Sequence, residues 1–324
     1  MDRLIHIGRA ETEGNVNFGL DLPNMRECGD PRLLAELAHE AEESGWDGVF
    51  LFDSLYVEWG PGEPPPTADP WIALAAMAMR TERVRLGPMI APLSRRRPWK
   101  VARETATLDH LSNGRFTLPV GLGTVEDGGY QNVGEELDRK KRAQMLDESL
   151  EIINGLWGGE PFSFQGEHYT MEEMAFLPKP VQSPRIPVWV VGAWPREKSM
   201  RRAIRWDGIL PVVMPLGGPA PQPDMAEAGR KIAEDGAYLQ MTAADIAEMR
   251  QYIERERNSD EPFDIVIEGW SAGSQRAKAA AKVDEYARAG ATWWVEAIWS
   301  WLYLPPHDIE GLRRRIRQGP PRVE

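Results

Sequence analysis

Short apolar runs alternate with amphipathic helical patterns about eight times along the chain. The runs are Phe18–Leu22, Gly48–Phe52, Val84–Ile90, Phe116–Gly121, Val188–Gly192, Gly208–Val213, Asp264–Ile267 and Thr292–Ala297. Most are almost continuously apolar rather than strictly alternating. Strands covered on both faces require that pattern, so a parallel sheet is expected.

Helical patterns fall between these runs. Asp30-Pro31 and Asp69-Pro70 each place a capping acid before a proline at the first helical position. Leu33, Leu34, Leu37, Ala38 and Ala41 form one apolar stripe, closed by Gly45. Further helices are expected from about Pro98 to Leu111, Asp138 to Trp157, near Pro195, Thr242 to Arg257, Ser274 to Ala289 and Asp308 to Arg317. Repeated strand–helix alternation predicts an α/β fold, a single (β/α)8 TIM barrel over residues 1–324, with a doubly wound open sheet as runner-up. Two stretches interrupt it: a hairpin insertion at about 160–187 and a variable loop at about 214–241. Tyr56–Ala68 and Pro215–Pro223 follow strands, which puts them at the catalytic face as lids or as plain surface connections.

Composition narrows the class. The chain has 324 residues, 42% of them hydrophobic, and one cysteine, Cys28, so an internal disulfide is excluded. Fifty acidic against 38 basic residues give a net charge of -12, which argues against nucleic-acid binding. The longest uncharged apolar run, Trp71–Met79, is far short of the ~20 residues of a membrane helix. Met1–Ala10 lacks the apolar core of a secretory signal, and a cytoplasmic location is expected.

Several chemistries lack their motifs. There is no HExxH, CxxC, GxSxG or Walker loop, and the five histidines are scattered, so no metal centre is expected. Gly121-Leu122-Gly123 lacks a third glycine and reads as a tight turn or a cofactor approach. Gly269–Ser274 (GWSAGS) follows the seventh run, where unrelated barrels bind phosphate. The basic run Ser94–Lys100 is either a clamp for an anionic substrate or cofactor tail, or a solvated helix start paired with nearby acids. Of Trp293 and Trp294, alternation sends only one into the barrel; Trp299, Trp301 and Tyr303 follow in the loop above.

Three segments read together are more specific: DGVFLFDS at 47–54, the stretch 70–123 ending in ATLDHLSNGRFTLPVGLG, and IPVWVVGAWPREKSMRRAIRWDGILPV at 186–212. They resemble the bacterial luciferase-like monooxygenase family of flavin- and deazaflavin-dependent oxidoreductases. The resemblance runs from the first strand to the sixth and weakens past Pro215.

The resemblance implies a non-covalent flavin-type ring at the carboxyl ends of the strands. It places a non-proline cis peptide at Met89–Ile90, against the ring. It gives Asp53 a hydrogen bond to the ring or ribityl chain, and puts Ser54 where many members carry a proton-transferring His. It sets the backbone of Gly121, Leu122 and Gly123 beside the cofactor, with Thr124 where some deazaflavin members have a catalytic Glu; Glu126 and Asp127 lie nearby. The amides of Gly192, Ala193 and Trp194 would hold the cofactor phosphate, with Trp194 over the ribityl chain.

The implied activity is monooxygenation of a small organic substrate by reduced FMN and oxygen, with a separate flavin reductase as partner and a homodimer as assembly. The alternative is hydride transfer with the deazaflavin coenzyme F420. A barrel isomerase or lyase using Gly269–Ser274 on a phosphorylated substrate, and a flavin binder without turnover, complete the set.

Overall fold

The computed structural model describes residues 16–56, 64–125, 128–213, 225–298 and 309–322. Strands β1 (Asn17–Leu22), β2 (Gly48–Leu51), β3 (Arg85–Pro88), β4 (Ala91–Pro92) and β5 (Leu118–Gly121) alternate with helices α1 (Pro31–Glu43), α2 (Pro70–Arg80) and α3 (Pro98–Leu111). A short α4 (Gly128–Gln131) and the long α5 (Arg139–Trp157) precede a hairpin of β6 (Phe162–Gln165) and β7 (Thr170–Met174). Then come β8 (Val188–Trp194), α6 (Glu197–Ala203), β9 (Gly208–Val213), α7 (Met225–Asp235), β10 (Ala237–Tyr238), α8 (Ala243–Glu256), β11 (Asp264–Ser271), α9 (Arg276–Ala289), β12 (Trp293–Ala297) and α10 (Ile309–Arg317).

The hydrogen-bonded order is β3-β2-β1-β12-β11-β9-β8-β5-β4. Every pairing along it is parallel. β3 and β4 are two halves of one barrel strand, so the order closes on itself as a (β/α)8 barrel with insertions. The open-sheet alternative is excluded. The interruption between the halves is the Met89–Ile90 peptide bond, which is cis.

Helix starts follow the acids read from the sequence. The Asp30 carboxylate accepts the Arg32 amide at 2.9 Å, and that of Asp69 accepts the amides of Trp71 and Ile72, both at 3.0 Å. Thr242 and Asp245 cap α8 reciprocally. The hairpin falls within the expected insertion. The supposed loop 214–241 instead contains α7 and β10, which pairs antiparallel with β11.

Two apolar layers result. The larger lies between strands and helices. The smaller fills the barrel: Phe50, Met89, Trp189, Leu210, Val266, Trp293 and Val295. Phe50, Trp189 and Trp293 pack ring to ring at 5.4–6.1 Å between centroids, forming an aromatic floor. Trp293 is thus the inward residue of its pair, while Trp294 turns outward onto Tyr286.

Candidate functional site

Alternation above this floor decides which side chains reach the mouth of the barrel. On β8, Trp189 and Val191 face the interior. Ala193 therefore faces the mouth, and Gly192 and Trp194 face outward. A Cβ on Gly192 would meet Ile209 Cδ1 at 2.2 Å. Trp194 packs edge-on against Tyr252 of α8, at 6.2 Å between centroids. This corrects the expectation that Trp194 covers the ribityl chain. The Ala193 amide donates to Ser199 Oγ at 2.9 Å, so it is already engaged.

The ends of β3 and β5 meet closely. A Cβ on Gly121 would lie 2.0 Å from Ile90 Cδ1, and one on Gly123 would lie 2.5 Å from the Tyr130 hydroxyl. Gly123 also has φ +69, which favours glycine. The side chains of Ile90 and Tyr130 thus fill the space beside Gly121 and Gly123, and the cis Met89–Ile90 unit packs directly on the Gly121–Gly123 backbone.

Asp53 is buried at the end of β2. Its carboxylate accepts from Arg96 Nη2 at 2.9 Å on both oxygens, from Arg95 Nη2 at 3.0 Å and from Trp71 Nε1 at 3.1 Å. Arg95 also donates to the Asp53 carbonyl at 2.7 Å. These bonds leave Asp53 little capacity for a ligand. They bear out the pairing of the basic run with a nearby acid, but not its solvation at Arg95, whose side chain is 5% exposed against 1% for its partner acid; Arg97 and Lys100 of the run are exposed. Ser54 is buried beside it, and its Oγ has no hydrogen-bond partner.

A second arginine group was not singled out from the sequence. Arg142 of α5 is buried and donates to the carbonyls of Leu122 and Gly123 at 2.6 and 2.9 Å, while its Nε has no partner. Burial, then the nearby charges of Arg196 and Arg142, lower the pKa of Arg139. The signal was legible: Arg139-Lys140-Lys141-Arg142 opens α5, and cations in a first turn oppose the helix dipole. Like charges gathered against the dipole beside a glycine turn suit an anionic ligand.

The rival phosphate turn is filled from within. The Ser271 amide and hydroxyl donate to the two Glu296 oxygens, each at 2.7 Å, and Arg315 lies 3.2 Å from that carboxylate. On the face where strands begin, a basin of about 1400 Å³ is lined by Arg85, Arg115, Arg185 and Asp207 among others. Arg115 there is spent on carbonyls and Thr81, and Arg185 on Asp207. Barrel enzymes work at the other face.

The model of the family described as luciferase-like monooxygenase matches residues 16–315. The chain belongs to this family. Its members matched in sequence include a protein of Nakamurella multipartita named F420-dependent glucose-6-phosphate dehydrogenase, 31% identical over 65% of this chain and 63% of that protein. A protein of the same name from Amycolatopsis mediterranei is 28% identical over 86% of this chain and 90% of its own length. For the Nakamurella protein the match thus spans less than two thirds of the relative. Among solved structures, the F420-dependent tetrahydromethanopterin reductase of Methanopyrus kandleri superposes with TM-score 0.67 at 16% identity, covering 94% of this chain and 97% of that one. That likeness shows the fold.

Trp299, Trp301, Tyr303, Glu126, Asp127, all of Pro215–Pro223 and the centre of Tyr56–Ala68 lie outside the described residues. Among the described residues no helix is long and apolar enough to cross a membrane.

Proposed function

We propose that the chain is an F420-dependent hydride-transfer enzyme acting on a hydroxyl or carbonyl compound. The observation that carries this is the near full-length match to a relative named F420-dependent glucose-6-phosphate dehydrogenase. It supports the deazaflavin alternative better than reduced-FMN oxygenation, which the sequence alone placed first.

The residues fit such a cofactor. The rim formed by the cis Met89–Ile90 unit and the Gly121, Leu122 and Gly123 turn packed on it would take the flat ring. Arg139, Arg142 and Arg196 would face its anionic tail. The buried, unpartnered Ser54 Oγ is available to one polar atom of the ligand. When bound, the deazaflavin supplies a two-electron hydride acceptor or donor. This chain positions it and keeps water off the reacting face, with the apolar floor of Phe50, Trp189 and Trp293 beneath.

The test is an anaerobic assay of F420 reduction, using glucose 6-phosphate and 2-propanol as probes, against an aerobic assay with reduced FMN. Anaerobic F420 reduction is expected. Oxygen consumption with reduced FMN and no F420 turnover would overturn the proposal.

A further inference from the structure

One buried phenol fastens the glycine turn that leaves β5. Tyr130 of α4 has no exposed surface. Its hydroxyl donates to the Leu122 carbonyl at 2.9 Å and lies 2.9 Å from Ser94 Oγ, just after β4. A phenol carries a single hydrogen, so Ser94 is the donor of the second bond. Ser94 is itself buried. The chain Ser94–Tyr130–Leu122 therefore ties the end of β4 to the turn after β5.

The ring of Tyr130 is held as firmly as its hydroxyl. The Arg95 guanidinium lies 5.7 Å from the ring centroid and that of Arg142 5.2 Å. Arg95 is anchored on Asp53, and Arg142 on the carbonyls of Leu122 and Gly123. The Leu122 carbonyl thus receives two donors, Tyr130 and Arg142. Gly123 is pressed into the gap that remains: a Cβ there would lie 2.5 Å from the Tyr130 hydroxyl and 2.8 Å from Pro92 Cβ. Peptide planarity then sends the Gly123 amide to the side away from Tyr130 and Arg142.

We propose that Tyr130 is a positioning residue of the reaction: its hydroxyl sets the spacing between the cis Met89–Ile90 unit and the glycine turn, and thereby the seat of the ring on that rim. This rests on the reading of the rim as the cofactor seat. β4 begins at Ala91, directly after the cis bond, so Ser94 follows one half of the rim and Leu122 belongs to the other. At full burial Tyr130 meets neither ring nor substrate; it acts through the two backbone segments. Loss of the hydroxyl takes one of two donors from the Leu122 carbonyl and breaks the tie to Ser94. A seat displaced by about 1 Å lowers the rate of transfer by up to about a hundredfold.

The experiment compares the full chain with Tyr130→Phe, Ser94→Ala, the double variant and, as control, Thr105→Val. Thr105 is a buried hydroxyl that accepts from Trp157 Nε1 at 3.0 Å, where α3 meets α5. Without any cofactor, amide exchange over residues 118–124 should quicken at least about tenfold in Tyr130→Phe and Ser94→Ala and stay unchanged in Thr105→Val. With F420 bound, the circular dichroism of the ring should change in the first two and not in the control. F420 affinity, read by fluorescence quenching, should stay within about threefold, while kcat with glucose 6-phosphate or 2-propanol, whichever the unaltered chain turns over, falls at least about tenfold at little changed KM. The double variant should be no slower than the worse single variant by more than about twofold, because both changes cut one chain. An unchanged dichroism in Tyr130→Phe, equal changes in Thr105→Val, or losses that multiply in the double variant would overturn the proposal; the dichroism decides even without turnover. If Tyr130→Phe does not fold, Ser94→Ala decides alone. A chain that binds FMN and not F420 overturns the functional reading, and the same dichroism comparison with FMN then decides on Tyr130. Binding of neither ring overturns both.

Discussion

Ser271 holds the Glu296 carboxylate with both its amide and its hydroxyl, each at 2.7 Å, where a phosphate-binding barrel would hold its ligand. The Arg315 guanidinium and the Trp294 indole complete the set, at 3.2 Å each. The turn thereby ties α10 to the barrel and offers no open anion site.

Replacing Glu296 by Gln should therefore act on stability. Arg315 and Glu296 are both 4% exposed at the side chain, and removing one charge of a buried pair costs about 3–5 kcal/mol. Urea unfolding should show a loss of that size, with F420 affinity of the folded fraction unchanged. A stable variant would mean that the network is not what fastens α10.

Asp53→Asn should behave similarly, because Arg95 and Arg96 would lose their shared counter-ion. The expected cost is again about 3–5 kcal/mol, read by thermal or urea unfolding. If stability were kept and only F420 affinity fell, Asp53 would be a ligand-binding group after all.

Two glycines should separate packing from binding. Gly192→Ala meets Ile209 between β8 and the helical layer, so overpacking of about 1–3 kcal/mol is expected without a change in cofactor affinity. Gly121→Ala instead presses on Ile90 at the mouth and should weaken F420 binding at least about tenfold, or ~1.4 kcal/mol. Calorimetry and fluorescence titration on both variants check the contrast.

The arginine group predicts salt-sensitive binding. F420 should bind more tightly than the same deazaflavin without its phosphate-bearing tail, and added salt should narrow the difference. Arg139→Gln should narrow it too, with little effect on the tail-less compound. Equal affinities at low salt would remove the tail from this group.

The barrel was legible because its strands are apolar on both faces and its helices open on Asp-Pro signals that cap as expected. α7 was not, because Met225–Asp235 is Ala- and Gly-bearing and sits after a Pro-rich stretch. The Met89–Ile90 bend and the glycines of β5 followed from family resemblance, which carries backbone positions well. The side-chain partners did not follow. Whether Arg95 and Arg96 sit in water or on Asp53, and whether Trp194 turns in or out, depends on where strand alternation leaves each residue at the rim.

The most direct measurement is a pair of titrations of the purified chain, one with F420 and one with FMN, each followed by quenching of ligand fluorescence. The account predicts saturable binding of F420 at least about tenfold tighter than that of FMN, a difference of ~1.4 kcal/mol or more. Tighter binding of FMN, or binding of neither, would contradict it.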